Sequence, residues 1–446
     1  RWERIRMAAV ELGPTFVKLA QVLSNRPDIV PEALVKEFEK LQDKVPPFEY
    51  AKVKVIIEKE SRKKITDIFE EFSEVPIASA SIGQVHKAKL KTGEDVVVKI
   101  QRPEVREVVE RDLSILREVV RRSDRYLKKQ GILNAEEVVT VFERSMHKEL
   151  DYLNEARNIE RFRNYYKSRR DFYVPKVYRE FSTSKIMVME FVRGCKITDV
   201  RQLREWGIEP EKIVERGMDI YLTQIFEHGF FHGDPHPGNI LVRQDGTIIL
   251  LDFGMVGQLM KKDKYAFAGI FIAMSRSDAR EMAVQFRKLA IEDNITDMRQ
   301  FVYDLNDLIE DYEHLDVSES SIQDVITRLQ KIMFDYKITV PGGVFIIFRA
   351  FAILEGIGKK MHPNFKTYDF IRPYGQRLVT EQLRPENLTA EAQSRFSNLN
   401  AFLNSFPVEL RNILQKTQKG KLHFEVELQG YGYALKKWDS ITNRIV

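Results

Sequence analysis

One cysteine, Cys195, is all the thiol chemistry this chain of 446 residues contains, so no disulfide can form within it. That scarcity fits a reducing compartment, and the expected role of Cys195 is that of a small, partly apolar packing residue. Long hydrophobic runs are missing as well. The longest, Val344 to Gly356 ("VFIIFRAFAILEG"), is interrupted by Arg349 and Glu355, which makes it too short and too charged to span a bilayer. Repeats and low-complexity tracts are absent, which excludes solenoids, and the chain is expected to end, past about Lys416, in a polar, weakly structured tail. A basic excess is missing too: 71 Lys and Arg face 66 Asp and Glu, a net charge of +5 spread along the chain. No Arg-rich stripe is interleaved with aromatics, so nucleic acid is not an expected partner. Weak attraction to an anionic membrane surface is compatible with this charge. No signal peptide is legible, and a chain that opens at Arg1 is expected to have been trimmed of a native N-terminal segment.

What is present, 43% hydrophobic and 31% charged residues, is the composition of a globular chain with enough apolar side chains for a large core. Residues 1–70 show helical periodicity broken at Pro14, Pro27, Pro31 and Pro46-Pro47. From Ile77 the period changes to that of strands: "IASASIGQVHKAKL", a turn containing Gly93, then "VVVKIQRP" with Lys99 at the strand's end. Two long charged helices are expected over Glu104–Lys129 and Ala135–Tyr166, followed by short strands near "FYVPKVY" and "KIMVMEFV". A helix near Val214–His228 leads into "FFHGDPHPGNILV", and Asp245-Gly246 is a hairpin turn between "ILV" and "TIILLDFG". Beyond Gly254 the pattern is helical to about Lys416. The expected fold is α+β with two lobes. Its parts are a helical N-terminal extension (1–70), a sheet-bearing lobe with inserted helices (71–193), a helical lobe (194–385) and a helical tail (386–446).

Four residues carry a chemistry. Phosphoryl transfer needs a cation on the α- and β-phosphates, oxygen ligands for metal ions, and a residue that orients the acceptor. In the kinase plan a strand lysine, an Asp with an Asn five residues on, and the Asp of Asp-Phe-Gly supply them. Here Lys99, Asp234, Asn239 and Asp252 stand in that order on the expected elements. Singly each is weak, because a solvated lysine after valines or an Asp in a turn is common; the conjunction carries the weight. Asp234 and Lys99 are the expected catalytic residues, with Asn239 and Asp252 as ligands of Mg²⁺ beside ATP. His232 is expected to be scaffold, and His232 with His236 lacks the further ligands a zinc site needs. The acidic partner of Lys99 falls among Glu149, Asp151 and Glu155, of which Asp151 and Glu155 share a helix face at i, i+4. Glu190, at the end of "KIMVME", is counted with the residues lining the nucleotide site.

Two departures from the kinase plan narrow the reading. Where G-x-G-x-x-G would let backbone amides approach phosphates, the chain has Ala78-Ser79-Ala80-Ser81, and only Gly83 remains. Alanine restricts φ there, so altered nucleotide preference or slower transfer is expected. No Ala-Pro-Glu follows Asp-Phe-Gly, so a peptide-docking activation segment is missing. Together with "LGPTFVKLAQ" near the start, "HKELDYLNE" in the second long helix and "RAFAILEG" late in the chain, these features resemble the UbiB/AarF family of atypical kinase-like proteins. The likeness covers about Glu11 to Met361. The family's Lys-x-Gly-Gln corresponds to Lys18 and Gln21, with Ala20 in place of glycine.

The resemblance implies that Glu155 pairs with Lys99 and that Lys18, a third expected catalytic residue, reaches Glu149 and Asp151 from above the site, with Gln21, Glu149 and Asp151 counted among the nucleotide-site residues. It also implies that the N-terminal extension covers the place where a peptide would dock. It further implies ATP and Mg²⁺ as cofactors, ATP hydrolysis more than protein phosphorylation, and support of isoprenoid quinone (ubiquinone-type) biosynthesis. The partners so implied are a lipid-like quinone precursor or an anionic membrane, and other quinone-biosynthesis enzymes. The expected location is the cytoplasmic side of a membrane, peripheral or anchored by a segment outside this sequence. Two alternatives stand beside this one. "HGDPHPGN" is also close to the aminoglycoside and choline kinase pattern, which would make the protein a small-molecule phosphotransferase. A non-catalytic nucleotide-binding scaffold is the other.

Overall fold

Two consecutive strands form the middle of a five-stranded first sheet. In Gly83–Leu90 and Asp95–Gln101, inward residues such as Ala88, Leu90, Val96, Val98 and Ile100 are buried, and Gly93 at φ +100° makes the turn between the strands. The sheet order is Phe69–Phe72, Gly83–Leu90, Asp95–Gln101, Ile186–Glu190, all antiparallel, with the short strand Ala78–Ser79 also paired to Gly83–Leu90. Lys99 lies within its strand, opposite Val85 on one side and Met187 on the other, and the strand continues to Gln101. On one face, Val53 and Ile57 of helix Tyr50–Ser61 join Ile65, Ile68 and Phe69 against the sheet. That helix therefore belongs to the packing of the sheet lobe, and the expected limit of the extension at residue 70 falls inside the first strand.

The computed structural model describes residues 2–24, 32–38, 40–41, 45–129, 135–314, 322–362, 365, 370 and 374. Residues 1–379 cluster as one compact unit. Pro27, Pro31, the expected tail at 386–446 and the helical pattern expected beyond Met361 as far as Lys416 lie outside the described residues, apart from three isolated positions.

The other core is larger. It joins the underside of the sheet (Val97, Met187, Met189) to the inserted helices through Val109, Leu113, Phe142 and Met146, and to the helical lobe through Phe226, Phe267 and Phe351. At ~25 cal/mol per Å² of apolar surface, continuous burial of this kind holds the two lobes to one another. The second long helix is not continuous. It breaks into Ala135–Glu149 and Tyr152–Tyr165, and Asp151 caps the second piece by accepting from the Leu153 amide at 3.1 Å. The expected i, i+4 face shared by Asp151 and Glu155 does not exist, because Asp151 lies outside the helix that carries Glu155.

Helix Pro210–Thr223 runs on into a π-turn, Gln224–His228, which ends at Gly229 with φ +61°. The motif "FFHGDPHPGNILV" begins at once, in strand Phe230–His232. It pairs antiparallel with Val256–Gln258, a short strand that precedes the helices expected after Gly254. The predicted hairpin is present: Ile240–Val242 pairs with Ile248–Leu250 across a turn with Gly246 at φ +81°. Helices Lys261–Ser275, Ala279–Leu289, Met298–His314, Ile322–Asp335 and Gly342–Met361 complete the described part. No described helix is long and apolar enough to cross a membrane.

Candidate active site

The strand lysine meets its acidic partner across the lobe. Lys99 Nζ lies 2.8 Å from Glu155 Oε2 and 3.8 Å from Asp252 Oδ2, and its ammonium sits over the Tyr152 ring at 5.2 Å. Burial works against the charge on Lys99, yet Asp252 and Glu155 outweigh it and hold the pKa well above that of an ordinary lysine. For Asp252 the lysine dominates and pulls the carboxyl below its usual range, with Lys18 adding to it from further off. Glu155 goes the other way: its burial raises its pKa against the pull of Lys99. One cation between two carboxylates leaves the cluster a negative charge in excess, which suits an added metal cation.

Asp252 is half-exposed, and its Oδ1 also accepts from the Gly254 amide at 2.9 Å. Its neighbour Phe253 is fully buried, 4.9 Å from Phe162 and 5.4 Å from His232 by ring centroids. Asn158, one turn past Glu155, donates to the Phe253 carbonyl at 2.9 Å, so the glutamate's helix and the Asp-Phe-Gly segment are tied together. His232 is the scaffold it was read as. The Asp234 amide donates to its Nδ1 at 3.2 Å, so the proton is on Nε2, which donates to the Asp252 carbonyl. Burial keeps its pKa low and the ring neutral.

Asn239 donates through Nδ2 to the Asp234 carbonyl at 3.2 Å, and its own carbonyl accepts from the Leu251 amide at 3.0 Å. This sets the Asn beside the segment that leads from strand Ile248–Leu250 to Asp252, and commits its NH₂ so that its amide oxygen is the atom a hard cation would use. One carboxylate, one amide oxygen and phosphate oxygens form the donor set magnesium takes. Among the described residues no group of three or more His, Cys, Asp or Glu could hold a metal by itself.

The N-terminal helix Pro14–Ser24 brings Lys18 to the site: its Nζ is 2.6 Å from Glu149 Oε1. Asp151, the other acid expected to receive Lys18, caps the next helix and stands 3.8 Å from Arg157. Gln21 follows Lys18 at i+3, half-buried, and its carbonyl accepts from Ser24 Oγ at 2.7 Å. This helix buries two faces. Leu19 and Val22 pack on the main core, while Phe16, Ala20 and Leu23 pack with Ala9, Leu34 and Phe38. Thr15 fixes it further by donating to Asp112 at 2.6 Å in a buried pair.

The alanine-serine loop is held by Arg102, which donates to the Ala80 carbonyl (2.9 Å), Ser79 Oγ (3.0 Å) and the Pro46 carbonyl (2.6 Å). Ala78 and Ser79 pair with Val85 and Gln84, the Ala80 amide donates to the Gly83 carbonyl at 2.8 Å, and Ser81 is buried. Glu190 ends strand Ile186–Glu190, as the sequence pattern has it. Its carboxylate accepts from the Tyr173 hydroxyl at 2.6 Å and the Lys176 amide at 3.0 Å, so its side chain does not join the cluster around Lys99. Cys195 is half-buried against the main core. Sequence reasoning missed Asn158, Arg102 and Arg349, whose guanidinium lies 3.7 Å from Asp234 Oδ1. For Arg349 a signal existed: an arginine kept inside the most apolar stretch of the chain.

A small antiparallel sheet carrying the lysine, set on a helical lobe that carries the Asp, the Asn and the Asp-Phe-Gly, is a kinase-like fold. Residues 40–286 match the family described as the ABC1 atypical kinase-like domain, and residues 305–366 match the UbiB helical domain. This chain belongs to that family of atypical kinase-like proteins. It is 32% identical over 403 residues to the probable protein kinase UbiB of Pseudomonas fluorescens (strain Pf0-1), covering 90% of this chain and 76% of that protein. It is 35% identical over 384 residues to the uncharacterized protein sll0005 of Synechocystis sp., covering 85% of this chain but only 56% of that protein. The chain thus spans little more than half of the Synechocystis protein. Among solved structures, the Rv3197–erythromycin complex from Mycobacterium tuberculosis is similar in fold, with a TM-score of 0.52 at 24% identity, over 80% of this chain and 90% of that one.

Proposed function

We propose that this protein binds Mg-ATP between its lobes and hydrolyses it, as an atypical kinase-like ATPase supporting isoprenoid quinone biosynthesis at a membrane. The observation that carries the nucleotide reading is the convergence of Lys99, Glu155 and Asp252, from a strand, a helix and a loop, within 3.8 Å of the lysine nitrogen. Lys99, positioned by Glu155, is the cation for the α- and β-phosphates. Mg²⁺, held by Asn239 and Asp252, would neutralise charge on the phosphate oxygens. Asp234 orients the oxygen that attacks, and accepts its proton. The N-terminal helix with Lys18 on Glu149 keeps a polypeptide acceptor from this space, in line with the short run from Gly254 to the helix at Lys261. The quinone and membrane parts of the proposal rest on the family resemblance.

The test is phosphate release from Mg-ATP by the purified protein, with and without anionic liposomes, beside Asp252→Asn. Turnover that increases with liposomes and is lost in the variant is the expected result. No turnover in either condition, with Mg-ATP still bound, would replace the ATPase by an acceptor-dependent phosphotransferase or a nucleotide-binding scaffold. Adding candidate hydroxyl acceptors separates those two.

A further inference from the structure

Between Asp234 and Asn239 the loop reads Pro-His-Pro-Gly and has no lysine or arginine. Its one imidazole is turned onto its own loop, where His236 Nδ1 accepts from the Gly238 amide at 3.2 Å. Lys99 is engaged by Glu155 and Asp252. Among the described residues, a cation reaches Asp234 from far along the chain, from helix Gly342–Met361.

How the helix gets there is visible in two glycines. A Cβ on Gly343 would stand 2.7 Å from the Gln258 carbonyl oxygen, so the start of the helix lies directly on strand Val256–Gln258. A Cβ on Gly233, in the loop itself, would meet Met255 Cγ at 2.7 Å and Ile346 Cγ2 at 3.1 Å. Ile346 and Arg349 are three apart and share a helix face. With Ile346 against Gly233, the next turn brings the guanidinium to the residue after it, Asp234.

The contact is loose. At 3.7 Å between Arg349 Nη2 and Asp234 Oδ1 it is an ion pair but too long for a hydrogen bond, and both side chains are about one-third exposed, at 36% and 34%. A guanidinium has five N–H donors in a planar fork and can serve two anions at once. An arginine beside the acceptor-orienting Asp, facing the mouth of a phosphate site, is placed where charge on a terminal phosphoryl group needs a donor.

We propose that Arg349 contacts the terminal phosphoryl group of the bound nucleotide, as an arginine delivered in cis by the helical lobe. This rests on the reading of the site as one for Mg-ATP. The helical domain is thereby part of nucleotide recognition, and the site senses whether the terminal phosphate is present.

The experiment is calorimetric titration of the full chain with Mg-ATP and Mg-ADP, for wild type, Arg349→Met and Arg349→Lys, each first checked for an unchanged melting profile. Losing a charge-assisted contact to one phosphate is expected to lower Mg-ATP affinity about tenfold in Arg349→Met. Mg-ADP affinity should stay within about twofold of wild type, with Arg349→Lys in between for Mg-ATP. Equal changes for both nucleotides, or none, would overturn the assignment of Arg349 while leaving the nucleotide site standing. Wild type that binds neither nucleotide would remove the site reading, and this inference with it. Should Arg349→Met melt early, Arg349→Lys decides by the same ATP-to-ADP comparison.

Discussion

At the scale of single residues, the site is governed by which charges are compensated. Lys99 faces two carboxylates, and only Glu155 is deeply buried; Asp252 keeps about half its surface and is the carboxylate a metal can reach. The alanine loop poses a different residue-scale question. Gly83 is the position where packing forbids a side chain, since a Cβ there would lie 2.3 Å from the Tyr152 hydroxyl and 2.5 Å from the Ile100 carbonyl oxygen. Ala80 has no such constraint from the backbone: its carbonyl is held by Arg102 and its amide by Gly83. Ala80→Gly should therefore leave the fold intact and relax the loop, which changes the ratio of ADP to ATP affinity by a few fold. Titrations with both nucleotides check this, and an unaltered ratio would retire the loop as a determinant of nucleotide preference.

Secondary-structure elements place those residues, and one break does much of the placing. The sequence "HKELDYLNEARN" was legible as helix, and its acids as candidates for Lys99, but not the interruption between Glu149 and Tyr152. Asp151 competes for a backbone amide with its own carboxylate, as aspartate does at helix starts. The break lets Glu149 end one helix towards Lys18 while Glu155, in the next, points to Lys99. Replacing Asp151 by Ala should cost about 1 kcal/mol of stability, and Asp151→Asn much less. Urea unfolding of the three proteins measures it; identical midpoints for Asp151→Ala and wild type would show that the cap contributes nothing. The helix Pro14–Ser24 is placed by packing on both sides, since two separate clusters claim two faces of one short helix.

At the scale of the whole molecule, neutral histidines that are wholly or partly buried set a pH limit. His86, His228 and His232 are all held below the ordinary histidine pKa, in each case chiefly by burial. An unfolded histidine titrates near 6.5, so as pH falls through that value the unfolded chain takes up protons that the folded chain refuses. Their contribution is complete above about pH 7 and is lost on acidification. Glu155, with its raised pKa, acts in the reverse sense, but it is one group against three. The urea midpoint should accordingly be lower at pH 5.5 than at pH 7.5. An equal or higher midpoint at pH 5.5 would mean that the buried carboxyl dominates.

The residues proposed to handle phosphate were legible in the sequence. Lys99, Asp234, Asn239 and Asp252 stand on elements whose strand and turn patterns are local, and local patterns are written in the order of residues. Long-range partnership was not. Which acid meets Lys99 depends on where a helix breaks, and Arg349 reaches Asp234 only because Gly233 and Gly343 let a distant helix settle on the loop. The partners of the Glu190 carboxylate, Tyr173 and the Lys176 amide, are likewise far from it in the chain. Such contacts are chosen by the packing of surfaces that the linear order leaves unspecified, and so they were settled by the tertiary structure alone.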